Sequence, residues 1–381
     1  MNRIKETLAQ LVKINSVSSG SNADIVEYLE RRCAAMGLVT RRLPYRDDLG
    51  IEKINLIALT KDVGEVELAL VGHTDTVPYD PNWTDATNLT ERDGKLYGRG
   101  SCDTKGFIAA ALTAVETTDL SRMNKPLALI FTADEEIGLR GAKQLAQAKP
   151  LRVHYSVVGE PTSLRPIRAG KGYSLAEVIV KGREAHSAYP ALGASAVFRA
   201  ARLIVHLETI AKQLQQEQHA AFDPPYTTLN IGLIHGGSAK NVLAGECRFT
   251  LEWRPIPSQP SERVLELFNA AIHEETQADP DFQCEVEATR ADSGFVTSTD
   301  SPLIKLLEKA TGKEPGTVAF GTEAAQMMAL GSESVVIGPG DIREAHRTGE
   351  FVPVDELERC AEILKEVIAA DFADFPEKSY S

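Results

Sequence analysis

Three adjacent acidic residues, Asp134, Glu135 and Glu136, directly follow the apolar segment 127–131. An apolar segment of this length is typical of a buried strand. A solvent-exposed loop tolerates three adjacent acidic residues. After a buried strand, a bound cation is the better explanation, because its positive charge offsets the repulsion between the carboxylates. Adjacent side chains point in different directions, so we predict that Glu136 binds a metal ion while Glu135 faces a water molecule as the general base.

His73 and Asp75 form a second candidate pair, which follows the apolar segment 68–72. Two residues separated by one position lie on the same face of an extended chain. An imidazole nitrogen is a good zinc ligand, and the other ring nitrogen usually donates to a carboxylate. We therefore predict that His73 binds a metal and that Asp75 orients its ring. The alternative is a strand end with polar turn residues.

Three further candidates complete a possible ligand set. Glycines lie on both sides of Asp103, which is either a helix N-cap or a carboxylate that bridges two metals. Glu160 ends another short apolar segment, and His346 follows a glycine-rich stretch near the far end of the chain. With His73 and Glu136, these residues give two nitrogen and three oxygen donors and no cysteine cluster, which favours a catalytic zinc pair over a structural zinc site.

The composition narrows the function classes. The chain has 381 residues, 43% hydrophobic and 25% charged, which is enough for a large core and predicts two domains. Its net charge of −13 argues against a nucleic-acid partner. No apolar stretch approaches the roughly 20 residues of a membrane span, and the first residues lack the apolar core of a signal peptide. Five dispersed cysteines without a CxxC motif favour free thiols. Together with the lack of an apolar span and of a signal-peptide core, they predict a cytoplasmic protein that does not bind membranes.

The order of hydrophobic periods predicts the domain organisation. Strands and helices alternate up to about residue 160, which indicates an α/β layer, and the pattern resumes after about residue 292. Between them, the segment 171–289 reads as βαββαβ, the order of a ferredoxin-like sandwich. We therefore predict a mixed-sheet α/β/α zinc-hydrolase domain formed by 1–170 and 290–381, with an inserted ferredoxin-like domain at 171–289.

These motifs resemble those of the dizinc amidohydrolases, a metallopeptidase-like family that includes deacetylases, desuccinylases, aminoacylases and a glutamate-releasing carboxypeptidase. The resemblance spans nearly the whole chain. It implies two Zn²⁺ ions, for which Co²⁺ or Mn²⁺ can substitute. By resemblance, His73 and Glu160 hold one ion, Glu136 and His346 hold the other, and Asp103 bridges them. Glu135 then matches the family's general base.

The resemblance also implies roles for the inserted domain, as a lid and as the contact of a homodimer. There, His186 matches a histidine that reaches the partner subunit's site and stabilises the oxyanion; a surface histidine is the alternative. Asn241 matches a substrate-positioning residue, although the glycines beside it equally suit a hairpin. Arg254 is a candidate for binding a substrate carboxylate or a surface ion pair. In the first domain, Glu323 is a candidate for contacting a cationic substrate group.

The substrate predicted from this resemblance is a small N-acyl amino acid. The segments 321–324 and 338–346 look most like the acetylornithine deacetylase branch, so N2-acetyl-L-ornithine is the leading hypothesis. A succinyl-diaminopimelate desuccinylase and a broader aminoacylase or dipeptidase stay open. An inactive homologue that only binds an amino acid is disfavoured, because a binding protein has no need of a base such as Glu135 beside metal ligands.

Overall fold

The computed structural model describes residues 3–120, 123 and 125–370. The chain divides into two compact units. The first unit comprises Met1–Arg168, Thr297–Gly316 and Thr322–Ser381, and the second comprises Ala169–Val296 and Thr317–Gly321. The roles predicted for 1–170 with 290–381 and for 171–289 stay predictions, and the terminal segment 371–381 lies outside the described residues.

The secondary structure of the described residues follows the predicted alternation. The helices are α1 (Arg3–Lys13), α2 (Ala23–Ala35), α3 (Lys105–Glu116), α4 (Arg140–Ala148), α5 (Ala196–Leu214), α6 (Arg263–Ala278), α7 (Pro302–Thr311), α8 (Ala324–Met328) and α9 (Val354–Ala369). The strands are β1 (Val39–Arg46), β2 (Glu52–Leu59), β3 (Glu65–His73), β4 (Thr90–Arg92), β5 (Lys95–Tyr97), β6 (Leu127–Thr132), β7 (Arg152–Val158), β8 (Ile167–Gly170), β9 (Tyr173–Lys181), β10 (Thr228–Gly236), β11 (Glu246–Arg254), β12 (Gln283–Asp292), β13 (Phe295–Val296), β14 (Gly316–Val318), β15 (Glu333–Val336) and β16 (Phe351–Pro353).

A mixed sheet forms the centre of the first unit. Its strand order is β1-β2-β6-β3-β7-β15, followed by β8. The four strands β6, β3, β7 and β15 run parallel to one another, whereas β1 and β2 are antiparallel to their neighbours. The carboxyl ends of parallel strands meet at one edge of a sheet, where α/β proteins place their ligands. The loops after β3, β6 and β7 therefore deliver their side chains to the same place.

Helices cover this sheet and bury its apolar side chains. All six residues of β6 are buried, as expected for a central strand of a sheet that helices cover. Helix α3 is buried along almost its whole length, and its sequence KGFIAAALTAVE is apolar on every side. Residues of α1, α2, α7 and α9 belong to the same core. The loop that carries Asp103 is thus attached to a helix fixed in the core.

The second unit contains β9, α5, β10, β11, α6 and β12 in chain order, which is a βαββαβ sequence. Its four-stranded sheet is antiparallel, in the order β10-β11-β9-β12. Side chains of β9 and β11 alternate between buried and accessible, as expected of a sheet with one face on a core. Phe249 of β11 packs edge-on against Phe268 of α6 in that core. The mixed α/β fold class predicted from the sequence is confirmed.

None of the helices in the described part of the chain combines the length and the apolar composition that crossing a membrane requires.

Candidate metal centre

The two carboxylate oxygens of Asp103 face two different histidines. Oδ1 lies 3.0 Å from Nε2 of His73, and Oδ2 lies 3.2 Å from Nε2 of His346. Asp103 lies just before Thr104, the N-cap of α3, so the helix N-cap alternative does not describe it. A carboxylate with one oxygen toward each imidazole has the orientation that bridging two metal ions requires.

Two groups of donor atoms share this carboxylate. One group comprises His73, Asp103 and Glu160, and the other comprises Asp103, Glu136 and His346; within each group the candidate ligand atoms lie within 4.8 Å of one another. Glu136 is also 3.0 Å from His346 Nε2. The five sequence-predicted metal ligands therefore come together in the first unit. Their role as ligands stays a proposal.

Glu135 belongs to the same neighbourhood. With His73 and Glu136 it forms a third group of donor atoms within 4.8 Å of one another. The chain turns immediately before the two glutamates, since Asp134 has a left-handed backbone with φ of 55°. Glu135 is thus placed beside the candidate ligands.

The hydrogen bonds of Asp103 shift the protonation of the cluster. Burial opposes ionisation of this carboxyl, but hydrogen bonds from His346 and His73 outweigh it and lower the pKa of Asp103. Hydrogen bonds to Asp103 and Glu136 raise the pKa of His346 to about 10. Burial disfavours a charged His73, yet its hydrogen bond to Asp103 and the neighbouring carboxylates raise its pKa well above the ordinary value.

In contrast to Asp103, two glutamates of the cluster have a raised pKa. Burial, with the nearby charge of Asp103, raises the pKa of Glu160 well above its ordinary value. Burial likewise raises the pKa of Glu135, with Glu136 adding to the shift. So many buried carboxylates in one place are costly unless cations compensate them. Two imidazoles and several carboxylates are also donors that catalytic zinc accepts, so this set fits a pair of divalent cations.

Asp75 contacts both His73 and the acidic turn, and its role in orienting the His73 ring stays a prediction. Strand β3 ends at His73, so Asp75 lies in the following loop. His73 Nδ1 is 3.0 Å from the backbone carbonyl oxygen of Asp75 and 3.7 Å from its Oδ1. The Asp75 carboxylate also accepts hydrogen bonds from the backbone N–H groups of Glu135 (3.1 Å) and Glu136 (3.2 Å), and from the hydroxyl of Ser18 (2.7 Å). Asp75 therefore connects the loop that follows His73 to the turn that carries Glu135 and Glu136.

Glu323 is the fourth glutamate near this centre. It is fully buried and accepts a hydrogen bond from the Thr132 hydroxyl at the end of β6. Its Oε2 has no hydrogen-bond partner among the described residues. Burial raises the pKa of Glu323 to about 7, opposed chiefly by the charge of His73. The contact with a cationic substrate group stays a prediction.

Three predicted residues lie in the second unit. His186 pairs with Val242 as an isolated bridge, and the Ser187 N–H donates to the Asn241 carbonyl at 3.0 Å. The structure thus brings His186 and Asn241 together, both exposed. Arg254 lies at the end of β11, where its guanidinium carbon is 4.6 Å from the centre of the Tyr173 ring and its Nη1 donates to the Ala319 carbonyl at 2.9 Å. Its Nε also pairs with Glu252 at 2.9 Å, which is the ion pair named as its alternative role.

Sequence reasoning missed two groups that support the centre. Glu350 accepts the backbone N–H groups of Cys102 and Asp103. Lys53 donates to Asp134 Oδ1 at 2.6 Å, and both side chains are 1% exposed. Neither residue stands within a motif that carries chemistry, although Glu350 follows His346 by four positions.

The clustering of imidazoles and carboxylates at the carboxyl edge of a mixed α/β sheet defines a metal-dependent hydrolase. A family model described as peptidase family M20/M25/M40 matches residues 69–370. The chain belongs to this family. Its match covers the acidic turn and all five candidate ligands.

Two curated relatives are similar over almost their whole length. An acetylornithine deacetylase of Myxococcus xanthus is 49% identical over 369 residues, which cover 96% of this chain and 97% of the relative. An acetylornithine deacetylase of Photorhabdus laumondii is 34% identical over 372 residues, 95% of this chain and 96% of the relative.

Solved structures share the fold at lower identity. A tripeptidase from Staphylococcus aureus has a TM-score of 0.75 and 24% identity, with 96% of this chain and 97% of that chain covered. A dinuclear metal binding peptidase of the M20 family from Bacillus subtilis has a TM-score of 0.67 and 15% identity, with 96% of each chain covered. These likenesses establish the fold.

Proposed function

We propose that this protein hydrolyses N2-acetyl-L-ornithine to L-ornithine and acetate, a step of arginine biosynthesis, with two zinc ions. The observation that carries the chemistry is the Asp103 carboxylate, with one oxygen toward His73 and the other toward His346. The substrate is supported by the 49% identity with an acetylornithine deacetylase.

His73 and Glu160 would hold one ion, and Glu136 and His346 the other, with Asp103 between them. When bound, the two ions polarise the amide carbonyl and lower the pKa of a water molecule toward about 7. Deprotonation of that water and protonation of the leaving amine require a general base and a general acid next to the water.

Glu135 is the residue placed for those transfers. It lies among the candidate ligands, and Asp75 fixes its backbone through the N–H at 3.1 Å. In the metal-free protein, burial raises the pKa of its carboxyl group, which favours uptake of a proton. Glu135 would remove a proton from the attacking water and return it to the leaving amine.

The remaining predicted residues would recognise the substrate. Arg254 offers a guanidinium held by stacking on Tyr173, which suits an α-carboxylate. Asn241 would position the substrate, and His186 would reach the partner subunit's site in a dimer and stabilise the oxyanion there. Glu323 carries a buried oxygen without a hydrogen-bond partner among the described residues, and a cationic ornithine side chain would compensate its charge.

We further propose a homodimer formed through the second unit, which would also act as a lid. Strand β10 is one of the two edge strands of its sheet in the described part of the chain, and an edge strand is a template for pairing with another chain. Large apolar side chains on α5 and β10 are exposed: Phe198, Val205, Leu233 and Ile234. A second copy of the chain would cover them.

A cytoplasmic location is part of the same proposal. All five cysteines are free, and reduced thiols are typical of that compartment.

The proposal is tested by incubating zinc-loaded protein with N2-acetyl-L-ornithine, N-succinyl-L,L-diaminopimelate and N-acetyl-L-methionine in parallel, and by measuring the free amine released. A chelator-sensitive preference for acetylornithine is the expected result. A preference for either other compound would keep the metal chemistry and replace the substrate. No release from any of them, with zinc bound, would contradict the proposed function.

A further inference from the structure

Glu350 is a buried residue outside the candidate ligand set. Its carboxylate contacts the backbone of the loop that carries Asp103, which is called the bridging loop below. Its Oε1 accepts the N–H of Cys102 at 2.9 Å and the N–H of Asp103 at 3.0 Å. The side chain is 1% exposed, so these contacts form in a site from which water is excluded. Two successive N–H groups on one oxygen fix the loop at the residue whose side chain faces both histidines.

Arg99 holds Glu350 in turn. Its Nη1 donates to Glu350 Oε2 at 2.6 Å, and its Nη2 donates to the Pro78 carbonyl at 3.2 Å. Arg99 is 4% exposed, and its guanidinium carbon lies 5.4 Å from the centre of the Trp83 ring. A guanidinium that is both hydrogen-bonded and packed has few alternative positions, so the Glu350 carboxylate cannot rotate away from the loop.

Glu350 also connects the bridging loop to the segment of a second candidate ligand. Its N–H donates to the Arg347 carbonyl at 3.3 Å, and its carbonyl oxygen accepts the Gly98 N–H at 3.1 Å. The same short segment thus carries His346, which is 3.2 Å from Asp103 Oδ2, and the carboxylate that holds the Asp103 backbone. A shift of Glu350 would alter the spacing of both ligands at once.

The acidic turn is held by the same device. The Asp75 carboxylate accepts the N–H groups of Glu135 and Glu136, as Glu350 accepts those of Cys102 and Asp103. In each loop, a buried carboxylate outside the candidate ligand set fixes two successive backbone amides. Because the same arrangement occurs at two loops that carry candidate ligands, we interpret these buried carboxylates as groups that position the ligands.

We propose that Glu350, supported by Arg99, is a positioning residue that sets the bridging geometry of Asp103 and thereby the affinity of the metal pair. The inference rests on the proposed two-metal site. Residues that orient metal ligands typically contribute 10- to 100-fold to metal affinity or activity, by order of magnitude. We expect Glu350→Gln to weaken zinc binding by roughly this factor.

The test is a double-mutant cycle on zinc affinity, measured by competition with a chromogenic chelator and without any substrate. Glu350→Gln is made in the natural chain and in an Asp103→Asn background. If Glu350 acts through Asp103, the loss in affinity is about 10- to 100-fold in the first case and less than about threefold in the second. A structural role would lower affinity equally in both, and that result, or no loss in either, would overturn the proposal.

Two further variants keep the test decisive. Glu350→Asp retains the charge and the Arg99 partner but withdraws the oxygen from the two N–H groups; we expect a weaker but measurable loss of affinity, and it replaces Glu350→Gln if that variant fails to fold. Unchanged affinity in Glu350→Asp would then overturn the proposal. Glu116→Gln is the matched control, because Glu116 pairs with Arg3 and Arg32 instead, and its zinc affinity should equal that of the natural protein.

Failure of the two proposals is distinguishable. Protein that binds zinc but releases no ornithine contradicts the proposed function and leaves the affinity cycle to decide on Glu350. Protein that binds no zinc overturns both.

Discussion

His346 Nε2 lies 3.2 Å from Oδ2 of Asp103, although 243 positions separate the two residues in the chain. The other oxygen of this carboxylate is 3.0 Å from His73. The site therefore has two halves that share one residue, and each half can be removed separately.

Loss of one half should leave the other able to bind. We expect His346→Ala to lower the zinc content from about two ions per chain to about one, and to reduce kcat by at least about 100-fold, because the second ion is needed to activate water. Elemental analysis after dialysis measures the content. His273→Ala, which alters an exposed histidine on α6, should keep both ions. Two ions in His346→Ala would contradict the division of ligands.

Glu135 should matter for chemistry and not for metal content. Glu135→Gln removes the base but keeps the size of the side chain, so kcat should fall by about 10²- to 10⁴-fold, the usual contribution of general acid–base catalysis. The zinc content should stay unchanged. Glu91→Gln, at an exposed residue that pairs with Lys5, serves as the control. Full activity in Glu135→Gln would show that another group moves the proton.

Zinc affinity should increase with pH. In chelator-treated protein, the pKa of His346 is raised to about 10 by hydrogen bonds to Asp103 and Glu136, so the ring carries a proton at neutral pH. Zinc binds the neutral imidazole, and each proton displaced makes the apparent affinity rise by up to about tenfold per pH unit below that pKa. Competition titrations at about pH 6.5 and about pH 8 measure the slope. A pH-independent affinity would show that the histidines are already neutral.

The buried pair of Lys53 and Asp134 should be important for stability. Both side chains are 1% exposed and lie 2.6 Å apart, and Tyr45 also donates to Asp134, at 2.9 Å. Removing one partner of a buried pair costs about 3–5 kcal/mol, because the other charge is left uncompensated. We expect Lys53→Met to lower the free energy of unfolding by this amount in urea titrations with chelator present.

Two comparisons isolate the charge effect. Lys53→Met combined with Asp134→Asn should be more stable than Lys53→Met alone, since the charge of Asp134 is then no longer left without its partner. Arg31→Met breaks an exposed pair with Glu27 and should change stability by less than about 1 kcal/mol. Equal stability of Lys53→Met and the natural protein would contradict this account.

The sequence predicts the features that depend on local pattern. Buried strands such as β6 are visible as apolar segments, and the switch of periods after Glu160 predicts the βαββαβ order found in the second unit. Candidate ligands stand out because polar residues at the ends of apolar strands are unusual. The mixed-sheet fold class follows from these two signals.

Contacts between distant loops could not be predicted in this way. Asp75 is predicted to orient His73, but nothing in the sequence indicates that its carboxylate also accepts the amide N–H groups of Glu135 and Glu136, which the turn after β3 brings near. Glu350 has no pattern of its own, since its partners are backbone amides that only the folded chain brings near. The residues that hold the ligands depend on tertiary structure, whereas the ligands themselves have a local signature.

The most direct test of the central claim is to titrate chelator-treated protein with zinc while measuring the release of ornithine from N2-acetyl-L-ornithine. We expect activity to depend on zinc and to reach its plateau at two ions per chain, as a carboxylate shared by two histidine-containing halves requires. Full activity without added metal, or a plateau at one ion per chain, would contradict the two-metal site built around Asp103.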